Sequence, residues 1–237
     1  MTLRMPFMLI LSVLSSAAIA AGAGSTSVSK RASNVEASQE GFRFGECLAR
    51  FNANATDELL RTEPGTADEN AAYAELLPRD NHRCVQLTIG DAPGRAQLTV
   101  PIPLLRGYLA QTRYLSLYPD GPPSVVADST GSEIGQQVLI NRLARSEDRS
   151  AEMVRVFSDC VVFARPLDVD TLLRTDRSSA EERAVLGDLS DAFGPCVWEG
   201  QTLQFGQEML RAALADALYR KAQGLTESGD TLTGGMR

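Results

Sequence analysis

One histidine, His82, and one tryptophan, Trp198, are all that 237 residues contain of either type. A lone imidazole rules out a metal site built on two histidines, and any nucleophile–histidine–acid triad would have to be centred on His82. Positive charge is in deficit as well: 23 basic residues against 30 acidic ones leave a formal net charge of -7. Gripping a nucleic-acid backbone needs clustered basic residues, so neither DNA nor RNA is expected as a partner. Walker A, Gly-x-Gly-x-x-Gly with its acidic residue, Gly-x-Ser-x-Gly and His-Glu-x-x-His patterns are all missing. Motifs therefore assign no catalytic residue, no metal site and no cofactor.

What remains is an ordinary globular composition, 43% hydrophobic and 22% charged. Residues 1–20 carry Arg4, then an apolar run from about Met5 to Val13, then small residues ending in Ala18-Ile19-Ala20. That layout is expected of a cleaved secretory signal peptide, and the run is shorter than the ~20 residues of a membrane span. Residues 21–38 and 223–237 are small, polar and aperiodic, so a flexible leader and a flexible tail are expected there. The mature chain is then an export product, periplasmic or extracellular, with no integral membrane segment.

Comparing the chain with itself gives the strongest signal. At a constant offset of 113, Phe44 matches Phe157, Cys47 matches Cys160 and Asp57 matches Asp170. The block Leu59-Leu60-Arg61-Thr62 matches Leu172-Leu173-Arg174-Thr175, and Ala67, Glu69, Ala71 and Leu76 match Ala180, Glu182, Ala184 and Leu189. After Cys84-Val85 and Cys196-Val197 the match resumes, Leu105-Arg106, Leu109-Ala110 and Tyr114 against Leu210-Arg211, Leu214-Ala215 and Tyr219. The sequence predicts two tandem copies of one unit, residues 39–117 and 146–222, joined by a linker over 118–145.

Each unit predicts helices. Thr66-x-x-Glu69 and Ser179-x-x-Glu182 are capping boxes, in which the glutamate is expected to reach back to the cap amide. Pro166 suits the first turn of a short helix over LDVDTLLRT, with another helix around Cys160 before it. Gln207 to Tyr219 is amphipathic at spacings of three and four, and its counterpart runs from Pro103 to about Leu117. A linking helix is expected from Glu133 to about Arg145. CVQLTIGDAPGRAQLTV and CVWEGQTLQF each suggest a short β-hairpin. The predicted fold is mainly α, two disulfide-stapled helical units in a pseudo-twofold arrangement.

Four cysteines allow three pairings. The duplication selects Cys47 with Cys84 and Cys160 with Cys196, one bridge per unit, and export is compatible with such bridges persisting. No Cys-x-x-Cys spacing supports a redox or metal role.

Arg61 and Arg174, in the duplicated block, are candidates for contacting an anion or a partner, because a guanidinium reads carboxylates and phosphates bidentately. The alternative is structural, each tying its short helix to the neighbouring acids, Asp68/Glu69 and Glu181/Glu182, with Arg106 and Arg211 in a similar role. His82 lies in a polar stretch before Cys84. Tyr108, Tyr114, Tyr219 and Trp198 would be core or, less simply, the lining of a groove.

The combined pattern, Phe-x-x-Cys, Leu-Leu-Arg-Thr, the Glu-bearing cap, Cys-Val and Leu-Arg-x-x-Leu-Ala-x-x-x-Tyr, resembles a group of uncharacterised secreted proteins of sphingomonad-type alphaproteobacteria. The resemblance covers about residues 40 to 220; it implies export and a paired-cysteine helical fold, and brings no activity with it. The expected function is a non-catalytic periplasmic or secreted cell-envelope protein binding an unknown protein or small ligand through a groove between its two units. The alternative is a cell-envelope hydrolase using carboxylates and His82.

Overall fold

In the computed structural model, which describes residues 34–89, 98–127, 149–197, 203–204 and 206–225, helices account for nearly all regular structure. Helix α1 (Asn34–Phe51) is interrupted at Asn52, whose φ and ψ of -129° and 50° break the helical ladder, before α2 (Ala53–Arg61) continues. The second half does the same. Helix α6 (Arg149–Ala164) breaks at Arg165, with φ and ψ of -137° and 57°, and α7 (Pro166–Arg174) follows with the proline in its first turn, where its missing N–H costs nothing.

Tight turns then launch the capped helices. Glu63-Pro64-Gly65-Thr66 closes through a hydrogen bond from the Thr66 N–H to the Glu63 carbonyl, with Gly65 at φ 80°. Positive φ at the third residue is what a type II turn requires, and proline is common at the second. Helix α3 (Ala67–Ile89) starts there, and the Glu69 amide donates to Thr66 Oγ1 at 3.3 Å. Asp176-Arg177-Ser178-Ser179 makes the equivalent turn before α8 (Ala180–Phe193), with Ser178 at φ 60° and the Glu182 amide donating to Ser179 Oγ at 3.0 Å. The glutamates reach one residue further back than the cap. Glu69 accepts from the Gly65 N–H and Glu182 from the Ser178 N–H, because the cap amides themselves are occupied in closing the turns.

Two helices form the centre, α4 (Ile102–Leu117) and α9 (Gln207–Ala222), and they pack on each other more extensively than any other pair. Around them α4 takes α1 and α2, and α9 takes α6 and α7. Every residue from Leu105 to Gln111 is buried, as is every residue from Leu214 to Ala222. Helix α9 is thus enclosed on all sides rather than half solvated, and Arg211, Asp216, Arg220 and Lys221 lie inside the protein. The helices approach closely enough at one crossing that a methyl placed on Gly107 would overlap the Cα, Cβ and carbonyl oxygen of Ala212.

Cys47 is bridged to Cys84, tying α1 to α3, and Cys160 to Cys196, tying α6 to the short 3-10 turn (Gly194–Cys196) that ends α8; the Cα atoms are 5.5 and 5.7 Å apart.

Two expectations are corrected. The first hairpin is absent: α3 runs on through Cys84, Val85 and Ile89, with Thr88 Oγ1 donating to the Cys84 carbonyl one turn back. Among the described residues there is no strand. The bridge to α1 and the packing of Leu76 and Cys84 hold the helix through a stretch whose β-branched residues favour strand in isolation. Most of the second hairpin, 198–202 and 205, and the linking helix over 133–145 lie outside the described residues. Residues 34–38, expected in the flexible leader, belong instead to α1, while residues 1–33 and 226–237, with the expected signal peptide and most of the expected leader and tail, lie outside the described residues. Once a packed helix is nucleated, each added residue gains a backbone hydrogen bond at little cost. A single turn, α5 (Ser124–Ala127), follows α4.

Ser178 holds a left-handed backbone that a β-carbon disfavours, so Ser178→Gly should raise stability by about 1 kcal/mol in urea unfolding, and Gly65→Ala should lower it by a similar amount. Removing the second bridge with Cys160→Ala/Cys196→Ala should cost about 4 kcal/mol, the loop-closure entropy of its span.

Candidate functional site

The end of a helix leaves its last carbonyls without partners and carries partial negative charge, and the start of a helix carries the opposite. Arg106, only 4% exposed, is placed where both occur together. Its guanidinium has five N–H donors, and all are used. Nη1 and Nη2 donate to the carbonyls of Leu59, Leu60 and Thr62 at the C-terminal end of α2, at 3.2, 3.0 and 2.9 Å. Nη1 also donates to Glu69 Oε1 at 3.0 Å, and Glu69 stands in the first turn of α3. The fifth donor, Nε, reaches Asp216 on α9 at 2.9 Å.

Arg211, 1% exposed, repeats the arrangement on the second half. It donates to the carbonyls of Leu173 and Thr175 at 3.1 and 2.8 Å, to Thr175 Oγ1 at 3.2 Å and to Glu182 Oε1 at 2.6 Å. Its Nε points at Gln111 Oε1 on α4, 3.3 Å away. Each glutamate has one oxygen on an arginine and the other on a turn amide, and Glu182 Oε2 also accepts from Gln207 Nε2 at 2.6 Å.

Beyond these two stations the charged seam differs from end to end. On one side Asp216 is shared with Arg220, which in turn holds Asp159 at 2.7 Å. Burial pushes the Asp216 carboxyl up, but Arg106 and Arg220 outweigh it and hold the group below the usual aspartate value. Burial likewise works against the Arg220 cation, and Asp159 and Asp216 reverse that and raise its pKa. Lys221, beside them, rests its ammonium 3.7 Å from the centre of the Phe163 ring, and desolvation lowers its pKa. On the other side Arg177 bonds Glu208 and Gln111 Oε1, both at 2.5 Å, and lies over the rings of Phe42 and Tyr108 at 3.9 and 4.8 Å. Its burial and the neighbouring Arg211 bring its pKa down to about 10.

The sequence-predicted residues fall into place unevenly. Tying each short helix to the neighbouring acids, the structural alternative for Arg61 and Arg174, falls to Arg106 and Arg211, which reach the helix ends from α4 and α9. Arg174 instead grips Asp170 on its own helix with Nε at 2.8 Å and Nη2 at 3.0 Å, and donates to the carbonyls of Tyr118 and Pro119. Arg61 is exposed at the end of α2. His82 is exposed on α3. Tyr108, Tyr114 and Tyr219 are buried core, and Trp198 lies outside the described residues. The tyrosine hydroxyls nevertheless carry polar work, Tyr114 donating to Asp170 at 2.7 Å and Tyr219 to Asp57 at 2.9 Å. Burial first, and then the acceptor carboxylate, raises both phenol pKa values far above 10. Asp57 is also held bidentately by Arg113 at 2.8 Å.

Sequence reasoning missed Asp159, Asp216 and Arg220. The i, i+4 pairing of Asp216 with Arg220 is the one local hint, and it reads equally well as a solvated surface pair. Chemically, the seam consists of carboxylates saturated by guanidinium and amide donors. Among the described residues no group of three or more His, Cys, Asp or Glu could hold a metal ion.

Arg211→Ala leaves Glu182 buried without its cation and should cost roughly 3–5 kcal/mol, whereas Arg174→Ala, whose Asp170 keeps Tyr114, should cost under about 2 kcal/mol; urea unfolding measures both. The acid limb has a definite sign. The folded protein keeps Asp216 charged while the unfolded chain takes up a proton near about pH 4, so this contribution is whole above that pH and is lost as pH falls below it. Asp216→Asn should flatten the fall in stability over that acid range.

No protein-family model, no curated protein and no solved structure matches this chain, so the roles above rest on its own geometry.

Proposed function

We propose that this protein is an exported, non-catalytic binding or interaction protein of the cell envelope, built from two tandem copies of one disulfide-stapled helical unit related by a pseudo-twofold axis. Export is supported by the signal-like residues 1–20, by the resemblance to secreted sphingomonad-type proteins and by two bridges of the kind that persist in oxidising compartments. No described helix is long and apolar enough to cross a membrane.

The observation that carries the binding reading is where the reactive groups are spent. Glu69, Glu182, Asp216, Arg106 and Arg211 are buried and bonded to one another or to helix ends, so these five groups build a rigid frame rather than stand free for chemistry. Large apolar groups stand outside instead. Phe51 is 46% exposed and Leu87 64%, and Arg83, one turn before Leu87 on α3, covers the Phe51 ring at 3.8 Å. This surface flanks the Cys47–Cys84 bridge, which fixes α1 against α3 beneath it. Its partner is a protein offering an apolar side chain beside a carboxylate, the complement of Phe51, Leu87 and the Arg83 cation. At Gly107 and Ala212 the crossing of α4 and α9 is too close to admit a ligand between them.

A photocrosslinking residue at Leu87, in the protein exported from living cells, should give one discrete protein adduct that disappears with Arg83→Glu, while the same residue at Asp188 on α8 gives none. No adduct at Leu87, or one indifferent to Arg83→Glu, would sink the assignment. Hydrolysis of an envelope polymer by the purified protein, abolished by His82→Ala, would replace binding with the hydrolase reading.

A further inference from the structure

We infer that the two tandem units meet as a homodimer meets, through a self-complementary interface whose two-fold axis passes between Gly107 and Ala212. The inference goes beyond the proposed binding role and rests on the tandem reading only.

In an interface with two-fold symmetry, if residue i of one unit touches residue j of the other, then j of the first touches i of the second. Three independent contacts obey that rule. Arg106 Nε donates to Asp216, the residue five places after Arg211, and Arg211 Nε donates to Gln111, the residue five places after Arg106. Tyr114 donates to Asp170 across the join, and Tyr219, its counterpart, donates back across it to Asp57, the counterpart of Asp170. Gly107 follows Arg106 and Ala212 follows Arg211, and these two equivalent positions meet each other at the crossing. A residue that faces its own equivalent lies on the axis. The helix contacts agree, since α4 touches α7 of the other half and α9 touches α2. Units stacked head to tail would give one member of each pair and not the other.

The surface therefore fits a second copy of the same unit, and this chain supplies that copy from within itself. The axis also explains why glycine stands at position 107. Two equivalent helices come so close at the axis that a methyl at 107 would stand 2.4 Å from the Cα, the Cβ and the carbonyl oxygen of Ala212, so only a hydrogen fits on that side of the crossing.

The full-length protein tests this through two double-mutant cycles read by thermal unfolding with the bridges intact, Tyr114→Phe with Asp170→Asn and Tyr219→Phe with Asp57→Asn. Each single variant should lower Tm by a few degrees. Within each pair the double variant should melt about as low as its less stable single, because both changes remove the same hydrogen bond, whereas the crossed doubles Tyr114→Phe/Asp57→Asn and Tyr219→Phe/Asp170→Asn should lose the sum of their singles. Coupling in one pair and not in the other overturns the axis. Peptide mapping of the same preparations without reductant separates the two readings. Cys47–Cys84 and Cys160–Cys196 intact with one-sided coupling defeats the axis alone, whereas a bridge joining the halves defeats the tandem units as well.

Discussion

A buried guanidinium between the end of one helix and the start of the next is the constraint on which this fold depends. Taking an arginine out of water is costly, and the cost is met only where every N–H finds an acceptor and the charge finds its opposite. Arg106 and Arg211 each satisfy both conditions with five acceptors. The same atoms complete the carbonyls left open where α2 and α7 stop and neutralise the glutamates where α3 and α8 begin. Helix dipole, ion pair and backbone satisfaction thus coincide at one side chain, delivered in each case from a central helix, α4 or α9.

Much of this was legible in the sequence, and the boundary of legibility is physical. The capping boxes at Thr66 and Ser179 start helices as their local chemistry requires, and Pro166 opens its short helix where its missing N–H is not needed, whereas the break at Asn52 has no side-chain cap to announce it. The chain-internal match singled out Arg61 and Arg174 because they sit inside the Leu-Leu-Arg-Thr block. What that block contributes to the buried station, however, is carbonyl oxygens and packed leucines, and carbonyls carry no side-chain signature. Which arginine reaches them is decided by how α4 lies across α2, a tertiary matter. The expected strand after Cys84 failed for a related reason: Val85, Thr88 and Ile89 favour strand by themselves, but a bridge and a packed helix face override them.

The buried charges on α9 show the same limit from the other side. Asp216, Arg220 and Lys221 read as the solvated face of an amphipathic helix, since sequence periodicity separates apolar from polar positions but does not say whether the polar face meets water or another layer of protein. Here it meets α6, whose Asp159 and Phe163 complete the pairing. The opposite end of the seam uses Gln111, Arg177 and Glu208 for the corresponding contacts. One end is closed by an ionised aspartate between two arginines, the other by a neutral amide shared by two arginines.

The glycine at the α4–α9 crossing sets the spacing on which both buried arginines rely. Gly107 adjoins Arg106 and Ala212 adjoins Arg211, and a methyl at 107 would meet the Cα, Cβ and carbonyl oxygen of Ala212, so any side chain there has to prise the two central helices apart. Each arginine stands on one central helix while its Nε bonds the other, Arg106 to Asp216 and Arg211 to Gln111, so such a separation would loosen both at once. A single hydrogen in place of a methyl thereby tunes two remote helix junctions together.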